Sequence, residues 1–261
     1  MTPSPEQVKK QFTQAASRYA GGTIMPNDDE QLRRMCDLLR PVLRPGARAL
    51  DVATGAGHTA LALAGAGCVT TGIDFTPAML EVAAENARAA GLEITFVEMD
   101  ACALTFADGA FDLVTVRRAP HHFADPATAV AHMRRVLAPG GRLYVLDNSA
   151  PDQAGAAAFV DALERLRDPS HHHSLTRAEW TALLSEHGFA VNHTAGIRGT
   201  YPLDVWFERA LTPPARRAEA IAWLQRRPSA LADCIEVTYA GEIPRAVTIE
   251  NLHLEVVATA V

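Results

Sequence analysis

The feature that most constrains this chain is a repeated pairing: a short, almost uninterrupted apolar run, then a turn, then a stretch with helical spacing. The runs lie at Ala47 to Val52, Val69 to Ile73, Ile94 to Met99, Phe111 to Val116 and Arg142 to Leu146. Segments this short and this apolar suit strands buried on both faces of a sheet. An alanine-rich helix follows the first run, a helix begins at Pro77 after the second, and another covers about Ala127 to Leu137 after the fourth. Strand–helix units with short links close through right-handed crossovers. The sequence therefore predicts an α/β fold, a doubly wound parallel sheet with helices on both faces.

The flanks are less regular. Residues 5 to 20 and 29 to 43 carry helical apolar spacing on either side of Gly21-Gly22, which predicts a helical lead-in over residues 1–44. Beyond Ser149 the pattern predicts helices near Gln153 to Arg167 and Arg177 to His187, and a strand at Phe189 to Gly196. A β-favouring stretch over about 246–260 reads as an antiparallel closing strand. The insert over about 201–227 carries Trp206, Phe207, Leu211, Ile221, Trp223 and Leu224. It reads as a helical lid over a pocket or as plain packing.

With 261 residues, 48% of them hydrophobic, the chain can bury the core of one large α/β domain. Cys36, Cys68, Cys102 and Cys234 form no CxxC pair, so neither a disulfide framework nor a zinc knuckle is expected. The opening MTPSPEQVKKQF lacks a signal-like apolar stretch, and no run approaches the roughly 20 apolar residues of a membrane span. A cytoplasmic location is the expectation. A net charge of -6 gives no general attraction to phosphate backbones, so nucleic acid is not an expected partner.

The loop after the first strand, Asp51-Val52-Ala53-Thr54-Gly55-Ala56-Gly57, carries two glycines that let backbone approach a ligand. Gly55-x-Gly57-x-x-Ala60 alone also satisfies a dinucleotide fingerprint, which leaves a nicotinamide cofactor open. Three aspartates bear on that choice. Asp51 would repel a pyrophosphate at this position and attract an ammonium group. Asp74, ending the second strand, is placed to accept from ribose hydroxyls, with Phe75 against a purine. Asp100 follows the third strand beside Ala101, where a carboxylate and a backbone amide can read the edge of adenine. A single acid at a strand end is often only a helix cap; three in register point to one ligand.

The series LDVATGAGHTALAL, TGIDFTPAML, VEMDA, FDLVTVRRAPHHFADP and RVLAPGGRLYVLDNSAP resembles the ordered motifs of class I S-adenosylmethionine-dependent methyltransferases. The branch it is most similar to is that of the menaquinone and ubiquinone biosynthesis methyltransferases. The likeness covers about residues 45–150, and more weakly extends to about 198 through RDPSHHHSLTRAEWTALLSEHGF. It implies a Rossmann-like, seven-stranded sheet of order 3-2-1-4-5-7-6 with strand 7 antiparallel. It also implies one domain over 1–261, with a cofactor core over 45–150 and an acceptor side over 151–261. S-adenosylmethionine would be the cofactor and S-adenosylhomocysteine the product. By the same resemblance Asp51, Asp74, Phe75, Asp100 and Ala101 take the roles above, and the backbone around Ala53, Gly55 and Gly57 meets the methionine part. Arg117 would lie near the sulfonium, and Tyr19 or Phe12 would reach the cofactor carboxylate.

Methyl transfer is an in-line displacement that needs donor and acceptor held in contact. An acidic acceptor would gain from a base, and His121 and His122, directly after the fourth strand, are the candidates. The alternative for both is a loop-holding role. His171-His172-His173 reads mainly as solvated loop with a pocket-lining role open; three consecutive imidazoles do not converge on one ion, and no metal is expected. Asp147 and Asn148 either bind the acceptor or cap a helix, and Pro139-Gly140-Gly141 reads as a turn. The expected partner is a small organic acceptor, quinone-like, phenolic or a natural-product intermediate, and the lid leaves room for a homodimer contact. A methyltransferase fold turned to another activity, such as cyclisation, is the second reading.

Overall fold

The structure, a computed structural model, describes residues 3–19 and 28–261. Gly21-Gly22 and the side chain of Tyr19 lie outside the described residues. The parallel half is built from β1 (Arg48–Val52), β2 (Val69–Asp74), β3 (Thr95–Glu98), β4 (Phe111–Arg117) and β5 (Leu137–Asn148). Helices α3 (His58–Gly65), α4 (Pro77–Ala89) and α5 (Pro126–Val136) connect them, after α1 (Pro5–Ala15) and α2 (Asp28–Leu39). Then follow α6 (Ala156–Arg167), α7 (Arg177–Glu186), β6 (Phe189–Pro202), α8 (Leu203–Arg209), α9 (Pro214–Gln225), β7 (Ile235–Ala240) and β8 (Ile243–Ala260).

The sheet order is β3-β2-β1-β4-β5-β8-β6, with β7 pairing β8 off this path. Pairings from β3 through β5 are parallel, and β8 runs antiparallel to both β5 and β6. This is the expected order, with the closing strand renumbered by one additional strand, β7, which the sequence reading does not contain. Alternation along each strand sends neighbours to opposite faces. Leu50, Val114 and Val145 pack with Met133 of α5 and Trp180 of α7, whereas Ala49, Leu113 and Tyr144 pack with Met35 of α2 and Leu63 of α3. Both faces are covered, which is why the strand runs carry almost no polar alternation.

Pro139-Gly140-Gly141 is not a turn before the strand but a bulge within it. Leu137 still pairs Phe111 while Arg142 pairs Leu113, and the intervening residues loop out with Gly140 at φ +73°. Further along the chain β6 and β8 run on past the central sheet. Their outer parts, with β7, α6, α8 and α9, enclose a second apolar cluster that includes Phe159, Trp206, Phe207, Leu224 and Ile249. The strands bend where Asn251 adopts φ +49°. A β-carbon on Gly196 would lie 1.6 Å from the Asn251 Oδ1, so any other residue there requires the Asn251 side chain to move. No helix among the described residues is long and apolar enough to cross a membrane.

Candidate active site

A cavity of about 510 Å³ opens at the carboxyl ends of β1, β2 and β4, within the roughly 300–1,000 Å³ of small-molecule sites. Asp51, Asp74 and Asp100 all line it, with Ala53, Gly55, Phe75 and Ala101. Gly57 does not. It caps α3 at φ +83°, and a β-carbon there would press on Ala83 at 3.1 Å, so its part is to let the loop turn tightly over α4. Ala53 at φ +52° and Gly55 at φ +55° also adopt left-handed backbone, and this opens the loop toward the cavity.

Asp51 is buried, and its two oxygens accept from the Thr54 hydroxyl at 2.6 Å and the Thr115 hydroxyl at 2.7 Å. Burial pushes its carboxyl up to about 6, against the pull of both hydroxyls and of the Arg117 charge. Asp74 accepts from the backbone N–H of Gly55 at 3.0 Å and of Thr76 at 2.9 Å, and burial raises it as well. Each carboxylate can accept about four bonds, so both keep lone pairs for a ligand. A buried anion held up by desolvation is also what a cationic ligand stabilises. Asp100, exposed, accepts from the Cys102 N–H at 2.8 Å.

Arg117 lines the cavity, paired bidentately with the buried Asp28 and donating Nε to the Thr59 hydroxyl at 3.0 Å. Burial raises the Asp28 carboxyl, and the bond to Arg117 and the Arg117 and Arg118 charges outweigh that, leaving it below its usual range. Sequence reasoning missed Asp28, because DDEQL at a helix start reads as ordinary acidic first-turn residues.

His121 and His122 also line the cavity, their ring centroids 4.0 Å apart. His121 Nδ1 lies 2.6 Å from Asp147 Oδ1, and both groups are buried. Burial drives each toward its neutral form, His121 down to about 3 and Asp147 up to about 7. His122 donates Nδ1–H to the Ser170 carbonyl at 3.0 Å, which leaves Nε2 as its lone-pair nitrogen, and Phe12 meets the ring edge-on at 5.0 Å. Asp147 is thus an imidazole partner, neither a helix cap nor a cavity wall, while Asn148 does line the cavity.

The triple-histidine segment differs from the expected solvated loop. His171 is buried with Nε2 3.0 Å from Asp161 Oδ1, His173 bonds the other oxygen of Asp161, and only His172 of the three lines the cavity. The buried Asp161 is the organising anion, and the two imidazole bonds hold its carboxyl far below the usual range despite burial. Among the described residues no group of side chains could hold a metal ion. In the 201–227 insert Trp206 and Phe207 fill the outer core, and Tyr201, Val205 and Trp206 line the cavity.

Comparison with known proteins decides the family. The profile of the family described as "Methyltransferase domain" matches residues 50–145. The methyltransferase YcgJ of Bacillus subtilis is 36% identical over 198 residues, covering 75% of this chain and 78% of the relative. The chain belongs to the S-adenosylmethionine-dependent methyltransferases. The crystal structure of YcgJ superposes on this methyltransferase with a TM-score of 0.82, at 31% identity, covering 88% of this chain and 98% of that one. A demethylmenaquinone methyltransferase of Thermus thermophilus is 50% identical over 115 residues, 43% of this methyltransferase and about half, 52%, of the relative. The [4+2]-cyclase SpnF matches at a TM-score of 0.62 and 21% identity, covering 99% of this chain and 97% of that one, and so shares the fold. The cofactor of this methyltransferase is S-adenosylmethionine.

Proposed function

We propose that this methyltransferase alkylates a small organic acceptor bearing an acidic O–H or C–H: a quinol-like, phenolic or natural-product intermediate. One observation carries the reading: the aspartates closing β1, β2 and β3 face the same cavity as a histidine held by a buried aspartate. Bound S-adenosylmethionine supplies an electrophilic methyl on sulfur. In this reading Asp51 receives the ammonium group of its amino-acid part, and the Ala53–Gly55 backbone lies along that part. Asp74 accepts from the ribose hydroxyls, Phe75 lies against adenine, and Asp100 with the Ala101 N–H reads the adenine edge. Arg117, its charge neutralised by Asp28, borders the sulfur without opposing the positive charge there.

His121 is the better base of the pair because it alone of the two is hydrogen-bonded to a carboxylate. The pair with Asp147 titrates as a unit and takes up one proton near pH 7, so below that pH no free base remains. Above it, Nδ1–H donates to Asp147 and Nε2 is free to accept the acceptor's proton. His122, fixed by Ser170 and edged by Phe12, orients the acceptor ring. We read residues 1–261 as one domain, since β6 and β8 belong to both the central sheet and the outer lobe.

The test is incubation with methyl-labelled S-adenosylmethionine and a series of hydroquinones, phenols and enolisable ketones, following S-adenosylhomocysteine and label in product. Conversion of an acceptor without label would point to the non-methylating reading.

A further inference from the structure

Arg117 and Arg118 leave β4 side by side, and only the first is ion-paired. Arg118 also lines the cavity, but its Nη2 donates to the uncharged Gln31 Oε1 at 2.6 Å, and its Nε is buried without an acceptor. Among the described residues Arg118 has no ion-pair partner, Asp28 being taken by Arg117. Its backbone sits at φ +56°, and its N–H is tied to the Leu146 carbonyl at 2.6 Å. A left-handed residue bearing a β-carbon is strained and persists where the surroundings enforce it.

The neighbours make this corner rich in donors. Tyr201 from β6 and His253 from β8 both line the cavity beside it, the phenol 3.4 Å from the imidazole Nε2. Burial, then the Arg118 charge, holds His253 neutral. A guanidinium does not give up its proton in proteins, so the positive charge stays. Burial and the adjacent Arg117 work against that charge, while the Tyr201 hydroxyl and the Asp28 carboxylate support it, and burial prevails.

We propose that Arg118 is the receptor for an anionic oxygen group, a carboxylate, enolate or phenolate, held in this corner of the cavity. The proposal rests on the methyltransferase reading above. Two molecules could bring that group, the acceptor or the amino-acid carboxylate of the cofactor. Tyr201 belongs to the outer lobe and His253 to β8 opposite Asn148, neither of them to the Asp51, Asp74 and Asp100 loops, which favours the acceptor. A forked guanidinium binds such oxygens in a plane, as a lysine ammonium does not.

The test uses the full chain with Arg118→Gln and Arg118→Lys. Calorimetry measures S-adenosylhomocysteine and 5′-methylthioadenosine, which lacks the amino-acid part. In S-adenosylhomocysteine-saturated protein, binding of 4-hydroxybenzoate is compared with that of 4-hydroxybenzamide. If the acceptor brings the anion, the wild type prefers the acid by roughly tenfold or more, Arg118→Gln abolishes the preference, and S-adenosylhomocysteine affinity stays unchanged. If the cofactor brings it, Arg118→Gln weakens S-adenosylhomocysteine by roughly 10- to 100-fold and leaves methylthioadenosine unchanged. Either result supports the receptor. It is overturned if Arg118→Gln, with wild-type circular dichroism and Tm, alters neither S-adenosylhomocysteine affinity nor discrimination of acid from amide. Should the Gln variant not fold, Arg118→Lys carries the same comparison, with a loss of about fivefold or more expected. Failure of the methyltransferase reading would look different, since the wild type itself would then bind neither nucleoside.

Discussion

Replacing Asp51 with asparagine is expected to strengthen the free protein at neutral pH and to weaken its hold on the cofactor. The carboxyl stands at about 6 in the folded protein against 3.8 outside it. At about 1.4 kcal/mol for each tenfold change in acidity, keeping it charged at pH 7.5 costs the folded state about 3 kcal/mol. The sign follows from the direction. A raised carboxyl binds its proton more tightly when folded, so this contribution to stability is full below about pH 4 and is lost as pH rises through about 6. Asparagine removes the charge and keeps the shape, but its NH2 group pairs imperfectly with Thr54 and Thr115, which costs about 1–2 kcal/mol. The net gain at pH 7.5 is about 1–2 kcal/mol, a Tm rise of about 2–8 °C for a chain of this size. Differential scanning calorimetry at pH 7.5 and 4.5 separates the contributions, because the gain should vanish at the lower pH, where wild-type Asp51 is protonated. Titration calorimetry should show S-adenosylhomocysteine binding roughly 10- to 150-fold more weakly, the worth of one charged hydrogen bond. A variant that melts below the wild type by the same margin at both pH values, or that binds S-adenosylhomocysteine unchanged, would refute the reasoning.

His121→Ala should lower kcat by about 10²–10⁴ with S-adenosylhomocysteine affinity retained, and wild-type kcat/KM should rise with pH through about 7 as the Asp147 pair releases its proton; a flat profile would count against a base here. Asp28→Asn strands the buried Arg117 charge, and denaturant titration should show a loss of about 3–5 kcal/mol. Gly196→Ala should cost about 1–3 kcal/mol, and most of it should return in the double variant with Asn251→Gly, which removes the clashing amide at a residue whose φ is +49°; additive losses would mean the two do not meet.

What the sequence made legible was whatever depends on local order. β1, β2, β4 and β5 announced themselves through largely buried runs, whereas β3, at the sheet edge, is only half-buried, and the three aspartates were found because they lie at equivalent strand ends. β7 went unseen although Ile235, Val237 and Tyr239 alternate with polar neighbours, because six residues carry little weight without a visible partner. The bulge at Gly140 reads as a turn because proline and glycines mark both. Partners across space left no trace in linear order: Asp28 for Arg117, Asp161 for His171 and His173, Asp147 for His121. Histidines written next to one another proved to depend on a carboxylate ten or twelve positions away.

β8 follows every other strand along the chain yet fills the slot between β5 and β6, pairing Arg142 with Thr259. During synthesis the first five strands can associate while β5 still presents a bare row of amides and carbonyls, open to any other extended chain. That exposure ends only when β8 arrives, and the same event brings Leu252 and His253 to the cavity wall. Closure of the sheet and completion of the pocket wall are therefore coupled through one strand.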